Sequence, residues 1–384
     1  MTHMSPQAGQ HDLPEKGRPG KGRKGMVLTT MTHASGAPIA ALRLAAGLEA
    51  SGHEVKAVFL YHREPMNGAD YPAQKLLGHV PRTPVDMLRI IVRLWRCLRE
   101  HRPDVIIMFL PLASVVGANV ARLAGIRRRI MSFRVPRDTY SPVMRAADRL
   151  SAWLGSYTDV VGVSRAMLAG CAAYPRWLRD RAVVIHNGLK DWPRSTLDKG
   201  AARALFGLPT DGRLVGALGR LEEQKNPELL VEALAQCPAH VHLVLAGSGS
   251  LHDRVVALAD SLSVQDRLHL LGDVPRDKVP HLLAAIDLFA QPSRFEGQSN
   301  ALLEALHAGL PCLVSDIAEQ VETLVGDDGR AAGQVLPLDD PAAWARAMAE
   351  EGQGADLDAI IAERAALFTF AAMMRSYNAL LRAP

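Results

Sequence analysis

Two glutamates eight residues apart lie at the centre of the strongest chemical pattern in this 384-residue chain. Residues 294–311 read RFEGQSNALLEALHAGLP, with Glu296 in a loop and Glu304 on the helix that follows. Ser299 or Asn300 can cap that helix, whose N-terminus and preceding loop amides suit phosphate oxygens. Two carboxylates would repel a phosphate placed between them. We therefore expect them to contact neutral hydroxyls on either side of it, as in a sugar joined to a nucleotide through diphosphate.

A second pattern places two cations after a predicted strand. The segment 216–227 reads GALGRLEEQKNP, in which Arg220 and Lys225 occupy a loop and Pro227 opens the next helix. Cations at the carboxyl end of a strand can neutralise a diphosphate. The alternative is a pair of solvated surface charges.

A third, weaker pattern is the pair Gly247 and Gly249 after another predicted strand. Glycines here let main chain approach a ligand closely. The spacing is not a dinucleotide fingerprint, because His252 occupies the place of the third glycine.

Alternating strands and helices must position these loops. Short apolar runs separated by helical stretches predict two doubly wound parallel sheets, whose strand ends face a shared cleft. The predicted strands are 26–31, 55–60, 105–110, 129–133, 159–163 and 182–185 in the first half, and 214–218, 241–246, 268–271, 288–290 and 312–315 in the second.

The domain boundaries follow from the same pattern. We predict a disordered basic tail over 1–24, a first domain over 25–190, a second domain over 191–366 and a last helix over 367–384.

Composition and charge narrow the partners. Residues 1–195 hold 29 Lys and Arg against 14 Asp and Glu, while residues 196–384 hold 15 against 26. A basic first half suits an anionic acceptor or an anionic membrane surface. The alternative is that the two domains carry opposite charge and merely attract each other. We expect no nucleic-acid partner.

Other features of the composition predict a cytoplasmic protein, soluble or peripheral on the inner face of the cytoplasmic membrane. Four scattered cysteines without a C-x-x-C pair argue against a disulfide scaffold and against a zinc site. The longest apolar run, 105–116, is too short to span a bilayer, and the first 25 residues lack a secretory signal.

Taken together, the motifs resemble the retaining GT-B glycosyltransferases of glycosyltransferase family 4. The resemblance rests on GR220…QK225N, LAG247SG249 and the E-x7-E pair followed by AGLP, and it covers essentially the second half. In the first half it is weaker: Ser35-Gly36-Ala37, the R102-P-D entry to a strand, and the VGVS and IHNG segments.

The resemblance implies that the first domain takes the acceptor, that the second takes the donor, and that the last helix crosses back to the first domain. We therefore expect the whole of 362–381 to pack there.

The resemblance also implies a role for each residue. Arg220 and Lys225 would hold the donor diphosphate, Glu304 would accept from the ribose hydroxyls, and Glu296 would contact the transferred sugar. The catalytic set is therefore Arg220, Lys225 and Glu296. The remaining donor-binding positions are Gly36, Gly219, Gly247, Gly249, Gly297, Gln298, Ser299, Asn300 and Glu304.

Two departures from the family pattern matter. Gln298 stands where an aromatic residue often follows Glu-Gly, and Ser132-Phe133-Arg134 stands where a histidine commonly ends the fourth strand. We expect Arg134 to take that place on the acceptor side; the alternative is an arginine on a basic surface. No metal ion and no cofactor are expected, because the arginine and lysine neutralise the diphosphate.

The predicted function is transfer of a hexose from a nucleotide sugar to a saccharide, expected to be lipid-linked, in polysaccharide or glycan synthesis. A soluble acceptor and a nucleotide-sugar binding protein without catalysis are the alternatives. The basic helix 85–102 carries arginines and apolar residues suited to anionic lipid, although a helix at this position also normally covers the sheet.

Overall fold

The computed structural model describes residues 22–32, 36–64, 71–189, 192–350 and 355–382. Ser35 and residues 1–21 of the predicted tail lie outside these ranges. The first strand begins at Lys24, the last residue assigned to that tail, and pairs with its neighbour from Lys24 onward.

The first sheet has seven parallel strands in the order β3-β2-β1-β4-β5-β6-β7. Its strands are β1 (Lys24–Met31), β2 (Glu54–Tyr61), β3 (Ala73–Leu77), β4 (Val105–Phe109), β5 (Arg128–Phe133), β6 (Asp159–Gly162) and β7 (Ala182–Val184). Strand β3 was not predicted, because it is a short edge strand with no β-branched residue and only two buried side chains, Leu76 and Leu77.

Helices cover both faces of this sheet. They are α1 (Gly36–Ala50), α2 (Pro84–His101), α3 (Pro111–Leu123), α4 (Pro142–Trp153), α5 (Arg165–Ala169) and α6 (Arg176–Arg179). Helices α2 and α3 pack side by side over one apolar core, and α3 packs against α4. Helix α1 packs over the other core.

The second sheet has six parallel strands in the order β10-β9-β8-β11-β12-β13. They are β8 (Arg213–Leu218), β9 (Val241–Ala246), β10 (Leu268–Gly272), β11 (Leu288–Gln291), β12 (Cys312–Ser315) and β13 (Gly333–Leu336). The predicted two-sheet α/β class is therefore confirmed, while β13 is an addition: only one of its four residues, Leu336, is buried.

The helices of the second sheet are α7 (Lys199–Leu205), α8 (Pro227–Gln236), α9 (His252–Ser261), α10 (Val279–Ala285), α11 (Asn300–His307), α12 (Ala318–Leu324), α13 (Pro341–Ala349) and α14 (Ala355–Leu367). Helix α7 lies within residues 188–212, which are rich in turn formers. Asp198 caps it by accepting from the main-chain amide of Ala201.

The chain returns to the first sheet through α15 (Phe370–Arg382). Leu189 exchanges main-chain hydrogen bonds with Phe368 and Phe370 at the crossing point. Tyr377 of α15 is buried in the core of the first sheet, whereas Ile361 of α14 is buried in the core of the second. The prediction that all of 362–381 packs against the first domain is therefore wrong for the α14 part, because α14 and Phe368 complete the second core.

Candidate active site

Both sheets reverse strand order at one point, and the motif loops lie there. In the second sheet the order reverses between β8 and β11, and ligands bind at such a crevice beyond the carboxyl ends of the strands. The two loops are tied together: the Arg294 amide donates to the Gln224 carbonyl at 2.8 Å, and the Gln224 side chain donates to the Phe295 carbonyl at 3.0 Å.

Lys225 and Glu296 form a direct ion pair between these loops, with Nζ 2.5 Å from Oε1. Glu296 is 6% exposed, and the same oxygen accepts from the Ser293 hydroxyl at 2.8 Å and from Gln291 Nε2 at 3.5 Å. The two residues assigned to diphosphate and sugar therefore neutralise each other in this state, which fixes both side chains at the strand ends.

The N-terminus of α11 opens next to this pair. Ser299 is its N-cap: the Ser299 hydroxyl accepts from the Leu302 amide and donates to Gln291 Oε1 at 2.7 Å. Asn300 faces the start of α1, because a Cβ atom added at Gly36 would lie 3.7 Å from Asn300 Nδ2. Two helix N-termini from the two domains thus converge on one side of the cleft, where their partial positive charges favour an anion.

Gly297 and Gln298 join the two domains. A Cβ atom added at Gly297 would lie 2.1 Å from the Arg134 carbonyl oxygen, so only glycine fits here. Gln298 Oε1 accepts from the main-chain amide of Asn187 at 2.6 Å, while its Nε2 is buried and lacks a hydrogen-bond partner. That free donor is suited to an oxygen of a bound ligand.

Glu304 lies one to two turns into α11 and is 7% exposed. Burial raises its pKa, an effect that Arg276 and Arg43 oppose; Arg276 Nη2 is 3.2 Å from Glu304 Oε1. Arg43 comes from α1 of the first domain, and burial and then Arg276 lower its pKa to about 10. One carboxylate therefore faces two guanidinium groups that belong to different domains.

Two predicted glycines, Gly247 and Gly249, adjoin neighbouring main chain, and a third, Gly219, adjoins a side chain. A Cβ atom at Gly247 would lie 2.0 Å from the Gly219 carbonyl oxygen, and one at Gly249 would lie 2.3 Å from that of Leu221. Gly219 has φ +148, and a Cβ atom added there would lie 3.1 Å from Cε of the Lys225 side chain. Close packing of the loops already requires these glycines, and their contact with a donor stays a prediction.

Arg220 is exposed in the loop after β8, with Nη2 3.3 Å from Gln224 Oε1. The side chain therefore lies in solvent at the carboxyl end of β8 and is not part of the core. Within the described residues its guanidinium forms no close ion pair, although its charge interacts with the Glu222 carboxylate. Contact of Arg220 with a donor diphosphate stays a prediction.

Arg134 is buried rather than part of a basic surface, and its place on the acceptor side stays a prediction. It is 8% exposed, donates to Asn187 Oδ1, Ser132 Oγ and the Tyr377 hydroxyl, and lies 4.4 Å above the Phe109 ring. Burial lowers its pKa. The interpretation as a surface arginine is wrong, and the side chain links the end of β5 to α15. Its carbonyl, not its guanidinium, meets the donor loop.

Sequence reasoning noted Asn187 only as part of the IHNG segment, without a role. It missed the other residues that support the site: Arg43, Arg276, Gln291 and Ser293. Gln291 and Ser293 carry a signal, since they are polar residues at the carboxyl end of an apolar strand. Arg43 and Arg276 carry none, because each approaches Glu304 only through the packing of distant elements.

Within the described ranges, no three His, Cys, Asp or Glu side chains converge to hold a metal ion. No helix in the part of the chain that the structure describes is both long and apolar enough to cross a bilayer.

Comparison with known proteins settles the family. The family described as "Glycosyl transferases group 1" matches residues 198–366, and the "Glycosyl transferase 4-like domain" matches residues 35–188. This chain belongs to the group 1 glycosyltransferases. The predicted family resemblance and enzyme class are confirmed, and the matches span both sheets of the fold.

Individual relatives agree with this assignment. The glycosyltransferase is 33% identical to D-inositol 3-phosphate glycosyltransferase of Mycolicibacterium smegmatis, over 52% of this chain and 48% of the relative. It is 26% identical to the lipopolysaccharide core biosynthesis glycosyltransferase LpsE of Rhizobium meliloti, over 75% and 76%. This chain thus spans about half the length of the first of these relatives.

Among solved structures, the glycosyltransferase is similar to Anabaena HepE in complex with UDP and glucose. The TM-score is 0.79 at 20% identity, over 94% of this chain and 99% of the other. This similarity confirms the predicted GT-B architecture of two Rossmann-like domains facing a cleft.

Proposed function

We propose that this glycosyltransferase moves a hexose from a nucleotide-sugar donor to a lipid-linked saccharide with retention of anomeric configuration. The observation that carries the proposal is the Lys225–Glu296 pair beside the converging N-termini of α1 and α11. Cation and helix dipoles suit a diphosphate, and the flanking carboxylates Glu296 and Glu304 suit hydroxyls of the sugar and the ribose.

The chemistry follows from where charge develops. As the bond between the sugar C1 and the diphosphate oxygen breaks, negative charge grows on the leaving diphosphate. Arg220, Lys225 and the α11 N-terminus stabilise that charge. The acceptor hydroxyl adds to C1 on the same face, and its proton passes to the departing phosphate oxygen. This mechanism involves no covalent bond between the sugar and a residue of the protein.

Donor binding must rearrange the resting ion pairs. Lys225 is engaged with Glu296, and Arg276 with Glu304. A bound diphosphate offers Lys225 a second anionic partner, and ribose hydroxyls offer Glu304 neutral donors. Arg43 and Glu304 belong to different domains and interact electrostatically. Binding of a ligand at Glu304 therefore changes an interaction between the two domains.

Two observations bear on the acceptor. The similarity to LpsE, whose name describes lipopolysaccharide core biosynthesis, favours a lipid-linked saccharide. The similarity to D-inositol 3-phosphate glycosyltransferase favours the alternative, a soluble phosphate-bearing acceptor. A binding protein without catalysis is the least supported reading, because Arg220, Lys225, Glu296 and Glu304 are all present.

The first experiment is a thermal-shift screen of the full chain against UDP, GDP and ADP and their hexose conjugates. A ligand that binds only the folded state increases the free energy of unfolding by about 2.7 kcal/mol at 100 times its Kd. The melting temperature therefore rises. The donor found there is then incubated with lipid-linked and water-soluble acceptors, and the anomeric configuration of the product is read by proton NMR.

The outcomes separate the readings. Transfer with retained configuration to the lipid-linked acceptor supports the proposal, and inversion contradicts it. Transfer only to a soluble phosphate-bearing acceptor favours the alternative. Nucleotide binding without transfer to any acceptor indicates a lapsed enzyme, and absence of any nucleotide-dependent shift overturns the site assignment.

A further inference from the structure

We propose that the exposed sides of α2 and α4 form one docking face for an anionic lipid bilayer. This inference rests on the proposed function, since it names the surface that brings the enzyme to a lipid-linked acceptor. The sequence singled out α2 alone. The structure adds α4, which is separated from α2 in the helical layer only by α3.

Both helices expose apolar side chains that a helix covering a sheet does not need. Helix α2 covers the sheet with buried residues such as Ile90 and Leu94, as its position predicts. It nevertheless leaves Leu88 60% exposed and Trp95 37% exposed. The exposed large apolar residues of the two helices are Val85, Leu88, Ile91, Val92, Trp95, Val143, Leu150 and Trp153.

The apolar edges of the two helices face each other across α3. On α2, Arg93 Nη1 donates to the Leu76 carbonyl of β3 at 2.5 Å, so its arginine edge lies toward the outer strand. On α4, Asn119 of α3 donates to the Ser151 hydroxyl at 2.8 Å, so the edge carrying Leu150 lies toward α3. An apolar strip therefore runs between two flanks of arginine.

The charge of the docking face is almost entirely positive. Its exposed arginines are Arg89, Arg93, Arg96, Arg99, Arg145 and Arg149. Two of the acids on these helices, Asp86 and Asp148, are buried, which leaves Glu100 as the exposed carboxylate among their described side chains. An apolar strip between cationic flanks matches acyl chains bordered by anionic headgroups, and tryptophan suits their boundary.

The face also lies where an acceptor would enter. In a parallel α/β sheet each crossover helix starts at the carboxyl ends of the strands, which is the cleft side. Helix α4 begins eight residues after Arg134, whose carbonyl adjoins Gly297 of the donor loop. Docking through α2 and α4 would therefore hold the mouth of the cleft near the bilayer surface.

The test uses the full chain and vesicles of phosphatidylcholine with or without 30% phosphatidylglycerol in a flotation assay. We expect binding to the anionic vesicles and release by 1 M salt, where screening acts within about 3 Å. The double variant Arg96→Gln/Arg149→Gln should bind about 30-fold more weakly, at about 1 kcal/mol for each arginine near the surface. Leu88→Glu/Leu150→Glu should abolish flotation.

Matched variants control for charge and for folding. Arg375→Gln/Arg382→Gln removes two charges from exposed positions of α15, and Val256→Glu places a charge on an apolar residue of α9 that is 37% exposed. Both should float like the wild type. All variants should keep the nucleotide-dependent thermal shift, because none lies at the donor site.

Each result decides one question. Equal flotation of the docking-face variants and the controls, or no flotation of the wild type, overturns the docking face while nucleotide binding leaves the glycosyltransferase assignment standing. Dimerisation that Leu88→Glu/Leu150→Glu abolishes, without vesicle binding, would instead make the face a contact between copies and contradict the proposal. Loss of the nucleotide-dependent shift in the wild type contradicts the proposed function itself.

Discussion

Replacing Lys225 with methionine tests whether the Lys225–Glu296 pair combines a structural and a catalytic role. The side chains are 20% and 8% exposed, and their charged atoms are 2.5 Å apart. Removing one partner of a buried ion pair costs 3–5 kcal/mol because the other charge stays buried. Partial exposure of Lys225 and the hydrogen bond from the Ser293 hydroxyl to Glu296 reduce this cost. We therefore expect Lys225→Met to lower the free energy of unfolding by about 2 kcal/mol.

That loss should lower the melting temperature of the second domain by about 4–8 °C. This loss is expected because the structure shows the carboxylate that the lysine neutralises. Transfer should fall by a factor of about 100–1,000, the effect of removing one preorganised group that stabilises developing negative charge.

The double variant Lys225→Met/Glu296→Gln separates the two roles. Without a buried carboxylate it should recover most of the melting temperature, yet transfer should stay as low as in the single variant. Arg254→Met is the matched control, since its 2.8 Å pair with Glu228 is on the surface and should contribute less than 1 kcal/mol.

The assays are differential scanning calorimetry and initial transfer rates with the donor found by thermal shift. A melting temperature of Lys225→Met within 1 °C of the wild type would show that Glu296 is not held as a buried charge. Wild-type transfer by the same variant would refute the placement of Lys225 at the diphosphate.

Three further substitutions have defined outcomes. Burial raises the pKa of Glu304 above 4.5, so the folded wild type binds extra protons and loses stability as the pH rises from 4.5 through the folded pKa. Glu304→Gln should thus gain melting temperature relative to the wild type over that range while nucleotide affinity falls, and a difference that is constant with pH would contradict the assignment. Gly297→Ala forces the donor loop away from the Arg134 carbonyl and should slow transfer about 100-fold with nucleotide binding retained, which steady-state rates and thermal shifts would check. Arg134→Gln loses charged hydrogen bonds to Asn187 and Tyr377 and should destabilise the protein by about 2–3 kcal/mol in urea unfolding; an unchanged midpoint would refute the linking role.

Local signals were sufficient for much of the fold. The capping serine at 299, the proline at 227 and the glycine at 309 with φ +81 mark helix ends through contacts a few residues apart. Strands of β-branched and apolar residues such as β4 are equally clear. The short peripheral strands β3 and β13 were not predicted, because they bury few side chains and therefore have little hydrophobic pattern in the sequence.

By itself, the sequence determined which residues carry chemistry and in which loops they lie, because strand endings and helix caps are encoded within a few neighbours. Only the tertiary structure decided what those residues touch. Lys225 meets Glu296 across 71 positions of chain, Arg43 approaches Glu304 from the other domain, and Arg134 donates to Tyr377 of α15. Such contacts depend on how separate loops and domains are oriented in space, and neighbouring residues in the chain carry no record of that orientation.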